Sequence, residues 1–184
     1  METADDARRS AQKNTERMQE SLPLKLARKE DNLPKRIKTS KGDALYKLGK
    51  LYRSVDEIFV HINKFTACSE GCSACCHIPA FISQLEVANI EIKTGVAARS
   101  RPHKGNYFGQ ACPFLKESRC SIYEDRPLVC RKHVSFASTS YWCAVERCQE
   151  IDMQLIRLSG IEEAYQNLLL ESGMSRISDI RENF

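Results

Sequence analysis

From Ala44 onward, Leu45, Leu48, Leu51, Tyr52, Val55, Ile58, Phe59, Ile62 and Phe65 recur at steps of three and four. That spacing lines one face of an α-helix, so the pattern predicts an amphipathic helix of about 22 residues. Asp43 stands where an N-cap belongs. Ser83-Gln84-Leu85-Glu86 reads as a capping box, opening a helix through Ile90 and Ile92 that Gly95 stops. Before it, Ile78 to Ile82 is apolar, broken by Pro79 and expected to be extended. Two short apolar runs, Cys112 to Leu115 and Cys120 to Tyr123, flank Lys116-Glu117-Ser118-Arg119 and predict a small hairpin around a four-residue turn. Trp142, Val145, Ile151, Leu155 and Leu158 predict a helix over 138–158. Ile161, Ala164, Tyr165, Leu168 and Leu169 predict another, with Gly173 as its C-terminal cap.

The flanks lack such periodicity. Residues 96–111 read as a loop carrying Arg99, Arg101, His103 and Lys104, and 174–184 as a C-terminal tail. Residues 1–42 read as a basic, weakly structured N-terminal arm: a polar helix from Ala7 to Leu22, ended by Pro23, then a linker around Lys35-Arg36-Ile37-Lys38. Charge sharpens this division. The arm holds 11 Lys/Arg against 7 Asp/Glu, which accounts for the whole net charge of +4, and the rest of the chain balances at 17 each. The arm has few apolar residues with which to offset ordering entropy. Its charge suits a protein or nucleic-acid partner, although it has no aromatic residue to interleave. Residues 43–173 form the expected domain.

No run of eighteen apolar residues exists, so no membrane span is expected. The start, Met1 to Asp6, is acidic and lacks an apolar stretch, which argues against a secretory signal and for the cytoplasm. There thiols stay reduced. Nine cysteines in a reducing compartment point to metal or catalysis before disulfides.

Four of them fall in nine residues, Cys68-Ser-Glu-Gly-Cys72-Ser-Ala-Cys75-Cys76. Zinc and iron need soft, deprotonated ligands close together. Cys72-x-x-Cys75 is a chelating pair, Gly71 frees the backbone before it, and Cys68 can join with one more turn. The adjacent Cys76 diverges from Cys75 and faces a second ion or another side of one cluster. Cys112, Cys120 and Cys130 each begin or end a turn. On a regular helix Cys143 and Cys148 would stand about 140° apart and not share an ion, so Cys148 is read as a packing thiol. His77 and His133 sit beside cysteines and are candidate ligands; His61 is read as a packing residue.

The spacing Cys68-x3-Cys72-x2-Cys75 also matches the loop of radical S-adenosylmethionine enzymes. The 109 residues after Cys75 do not read as repeated strand–helix units, and Ala74 stands where those enzymes carry an aromatic.

The full constellation resembles the YkgJ-type cysteine-cluster family, a zinc- or iron-chelating domain named for its CxxCxxCC run. The matching pieces are Cys68 to Cys76, Cys112-Pro113-Phe114-Leu115, Cys120 through Arg126-Pro127-Leu128-Val129-Cys130-Arg131, and Cys143, over roughly 66–145. The three-residue gap between Cys68 and Cys72 departs from the name's two, and Cys148 has no place in the pattern. The resemblance implies eight metal-binding cysteines: Cys68, Cys72, Cys75, Cys76, Cys112, Cys120, Cys130 and Cys143. It also implies zinc or iron as cofactor, the iron as an ion or an iron–sulfur cluster. The family includes flagellin lysine N-methylases, which offer the alternative of an iron–sulfur-dependent enzyme or accessory protein. A glycine-rich S-adenosylmethionine loop is absent here, so the reading leans away from an enzyme. A thioredoxin-like role for Cys72-x-x-Cys75 lacks its βαβ context. The expected fold is mostly α: a small helical domain with a cysteine-rich irregular metal-binding region and a short hairpin.

Overall fold

The computed structural model describes residues 2–69, 71–101, 103–150, 156 and 158–184. The helices are α1 (Ala4–Ser21), α2 (Leu24–Asp31), α3 (Leu33–Lys38), α4 (Ala44–Ile62), α5 (Gln84–Thr94), α6 (Leu128–Lys132), α7 (Ser159–Ser172) and α8 (Ile180–Asn183). Two antiparallel ladders complete the described residues: β1 (Phe81–Ser83) with β4 (Ile177–Asp179), and β2 (Leu115–Lys116) with β3 (Arg119–Cys120). The mostly helical architecture expected from the hydrophobic pattern is the one observed.

The first core forms on α4. Leu48, Leu51, Val55, Ile58 and Ile62 are buried along one face and meet Ile161, Ala164 and Leu168 of α7. Asp43 caps α4 by accepting from the Tyr46 backbone N–H at 2.8 Å. The stretch 1–42 differs from the expected weakly structured arm, because residues 4–38 are three helices. Met18 of α1 and Leu33 and Ile37 of α3 enter the same core, and α3 lies against both α7 and α4. Few apolar residues suffice when they share a face. Leu33 and Ile37 stand four apart and both are buried, each contributing about 1.5–3 kcal/mol of transfer free energy.

A second core is built from distant parts. Ile82, Val87, Ile90, Phe114, Ile122, Ile180 and Phe184 close on one another. The expected tail at 174–184 is therefore structural: β4 pairs Asp179 with Phe81, Ser178 with Ile82 and Ile177 with Ser83. α8, N-capped by Asp179, then turns Ile180 and Phe184 inward, the latter ring edge-on to Phe114 at 5.1 Å. The 2–3–residue scale of these strands hides them from a period-two pattern, and only pairing with β1 reveals them.

Between the cores lies the Ser83–Glu86 capping box, with both reciprocal bonds present. The Glu86 carboxylate, 2% exposed, also accepts from the Tyr52 hydroxyl (2.9 Å), the Leu128 N–H (2.7 Å) and the Tyr165 hydroxyl (2.6 Å). One carboxylate thus ties α4, α5, α6 and α7 together.

Two local expectations change. The hairpin turn has two residues, Glu117 and Ser118, both with positive φ (48° and 59°), the backbone a tight two-residue hairpin requires. The stretch 138–150 is a 3-10 turn at Tyr141–Cys143 followed by hydrogen-bonded turns rather than an α-helix. Trp142, 1% exposed, is drawn into a small core with Ala7 and Ala137, and that burial overrides the helical spacing. Ile151 and Leu155 of the expected helix lie outside the described residues.

Candidate metal centre

Each thiol is delivered by a different device. α4 runs into a 3-10 turn at Asn63–Phe65, which leads to Cys68. Gly71 takes φ of 83° in open space, letting the chain reverse before Cys72. Cys75 and Cys76 lie in the 3-10 turn Ala74–His77. Cys112 is anchored to that turn by its N–H, which donates to the Cys76 carbonyl at 2.8 Å, and Gly109 N–H donates to the His77 carbonyl at 2.8 Å. Cys120 ends β3, Cys130 sits in α6, and Cys143 closes the Tyr141–Cys143 turn.

Six of these sulfur residues, Cys72, Cys75, Cys76, Cys112, Cys120 and Cys130, line one cavity of about 550 Å³. Cys68 and Cys143 are outside its lining, and Ser135 favours the thiolate of each, through its backbone at Cys68 and its side chain at Cys143. The mutual electrostatics sort the thiols. Burial, then Cys72 and Cys75, push Cys68 up. Burial, then Cys68 and Cys72, push Cys143 up to about 11. Cys130 is raised by burial and then by Cys75, Cys112 and Cys120. Cys112 is raised by burial and then by Cys120, and Cys120 by burial and then by Cys75. Cys75 is raised first by Cys76 and then by burial. These effects link Cys68 with Cys72, Cys75 and Cys143, and Cys130 with Cys75, Cys112 and Cys120. Cys148 belongs to neither set: its thiol donates to the Val145 carbonyl at 3.4 Å, and its charged neighbour is Glu146.

The donor set fits a thiophilic ion. Eight thiols, of which Cys72 is exposed and the other seven are buried or half-buried, would repel one another as thiolates unless a cation stood among them. His133 adds a neutral imidazole to the cavity lining; burial lowers its pKa, and its Nε2 is buried without a hydrogen-bond partner. Among the described residues no three His, Cys, Asp or Glu side chains already stand in ligating geometry. The turns carrying the thiols are short and irregular, and ligation requires their side chains to rotate together.

Several residues that hold the site carried no local signal. Arg181, 4% exposed, lies in the expected tail yet donates to the carbonyls of Cys76 (2.7 Å), Gln110 (2.8 Å) and Ile78 (3.3 Å), and pairs with buried Asp179 at 3.1 Å. It binds the thiol turn to the loop preceding Cys112. Arg131, in the Arg-Pro-x-x-Cys-Arg segment, pairs with Asp56 at 2.5 Å and stacks over Tyr52 at 4.2 Å, fixing α6 and with it Cys130 against α4.

No curated protein and no solved structure matches this chain. Residues 67–154 match the family described as "CxxCxxCC: Putative zinc- or iron-chelating domain". That match spans all nine cysteines, starts one residue before Cys68 and takes in the hairpin and α6. Over residues 67–154, then, this chain is similar to the CxxCxxCC family of zinc- or iron-chelating domains.

Proposed function

We propose that the chain binds transition-metal ions through the thiolates of Cys68, Cys72, Cys75, Cys76, Cys112, Cys120, Cys130 and Cys143, and that the ions hold the irregular region between α4 and α7 together. The observation that carries this reading is convergence. Thiols separated by up to 75 residues in sequence couple to one another around a single cavity and its rim, while Cys148 stands apart. Eight thiolates suffice for two four-coordinate ions, and we assign one to Cys68, Cys72 and Cys143 with Cys75, the other to Cys76, Cys112, Cys120 and Cys130. Structural zinc contributes on the order of 10–16 kcal/mol to folding at neutral pH, comparable with the whole stability of a typical domain, about 5–15 kcal/mol. Metal analysis of protein purified without oxygen tests the reading. Bound zinc, or iron, at about two equivalents supports it. Iron with equimolar sulfide and a brown colour identifies a cluster, the form in which an enzymatic or electron-transfer role arises. Undamaged protein with free thiols and no bound zinc or iron overturns it.

A further inference from the structure

Arg126 lines the thiol cavity together with Cys75 and Cys120. Its guanidinium lies over the Tyr123 ring, 3.9 Å from the centroid. Its backbone is pinned as well: the Arg126 carbonyl accepts from Arg131 Nε at 2.8 Å, and Pro127 follows immediately. Despite this anchoring, Nε is buried without a hydrogen-bond partner, and among the described residues the side chain makes no ion pair. A buried donor left without an acceptor destabilises the fold, so this group calls for an acceptor. Arg181, the buried arginine of the cavity, is saturated by backbone carbonyls and Asp179. Arg126, half-buried, is a cavity cation with bonding capacity to spare.

A divalent ion held by four thiolates leaves a net charge of about 2−. In a half-buried cavity such charge needs compensation. We propose that Arg126 is the counter-charge of the thiolate centre, a positioning residue whose guanidinium offsets the charge gathered on the sulfurs of Cys75 and Cys120 and so sets how tightly the ion is held. Tyr123 serves as the platform, holding the guanidinium by cation–π contact. Hydrogen bonds and charges just outside a ligand set commonly change metal affinity by about 10–100-fold.

This proposal rests on the metal-binding reading, and one experiment separates the two. Native chain, Arg126→Gln, Arg126→Lys and Tyr123→Ala are loaded with zinc and titrated against a chromophoric chelator, and cobalt-substituted samples are compared by absorption. Zinc binding by the native chain tests the reading itself. If it binds, R126Q is expected to keep the metal stoichiometry, to hold zinc about 10–100-fold more weakly, and to shift the sulfur-to-cobalt charge-transfer band to lower energy, because thiolates without a neighbouring cation are easier to oxidise. R126K is expected to recover part of the affinity and of the band position. Y123A, altering an exposed ring, keeps the charge and is expected to fall between native and R126Q. Equal affinity and an unmoved band in R126Q overturn the proposal. Equal weakening in R126Q and R126K, with the band unmoved, overturns it as well and leaves packing as the role of Arg126. Should R126Q not fold, an affinity and band for Y123A identical to native overturn it.

Discussion

The guanidinium of Arg181 donates to the carbonyl of Cys76 at 2.7 Å, across 105 residues of sequence. The same carbonyl accepts the Cys112 N–H, so the last helix of the chain and two thiol-bearing segments meet at one oxygen. Arg181 and Asp179 are both nearly inaccessible. Replacing Arg181 with Met strands a buried carboxylate and several carbonyls, and removal of one partner from such a pair costs about 3–5 kcal/mol. Urea unfolding of metal-free R181M should show that loss, and zinc affinity should fall with it because the Cys76 and Cys112 segments lose their clamp.

Exchange of single cysteines separates ligands from bystanders. Cys72→Ser is expected to hold one ion fewer than the native chain, and Cys148→Ser the same number, by metal analysis after gel filtration. Metal loss in C148S, or none in C72S, would contradict the ligand set proposed here.

The thiols also determine the pH dependence, with opposite signs with and without metal. Burial raises Cys143 to about 11 from an ordinary 9.0. A thiol whose pKa is higher folded than unfolded stabilises the fold below the unfolded value, and that contribution disappears as pH rises through the folded value. Reduced, metal-free protein is therefore expected to lose stability between pH 9 and 11, seen as a falling urea midpoint. Metal-loaded protein should fail at the other end, releasing its ions as pH falls and protons compete for the sulfurs.

Tyr165 donates to Glu86 at 2.6 Å and lies 2.8 Å from the Ser83 hydroxyl. Burial and then the Glu86 charge push its own ionisation far upward, so it remains a donor throughout the accessible pH range. Tyr165→Phe should cost about 1.5–3 kcal/mol, as for a hydrogen bond to a charged group. Metal stoichiometry should be unchanged, since the network supports α6 from behind.

Gly160 opens α7 where α2 crosses it. A Cβ there would stand 2.2 Å from the Glu30 carbonyl oxygen, and the Glu30 carboxylate caps α7 through the Ile161 N–H at 3.0 Å. Gly160→Ala should lower stability by about 1–3 kcal/mol through overpacking, despite the better helix propensity of alanine. A thermal midpoint equal to native would show that α2 can retreat without loss.

Where a local rule was sufficient, sequence and structure agree. The α4 stripe, the Asp43 cap, the Ser83–Glu86 box and the left-handed caps at Gly95 and Gly173 all depend on residues within one or two turns of each other. The cysteine spacing carried the family and the candidate donors for the same reason: chelation by Cys72 and Cys75 is a short-range property of the loop. The failures share a cause too. α3 needed α7 to bury Leu33 and Ile37, and 138–150 surrendered its helical spacing to the burial of Trp142.

The amino-acid sequence by itself determined the helical character of the chain, its set of candidate thiol donors and the family likeness of residues 67–154, because periodicity, capping and chelate spacing act over a few residues. Tertiary structure decided what those thiols face: that six of them line one cavity, that Cys148 is outside that lining, and that Arg126 and Arg181 stand at the cavity. Charges separated by tens to more than a hundred residues interact through space, and only the folded path brings them within reach of one another.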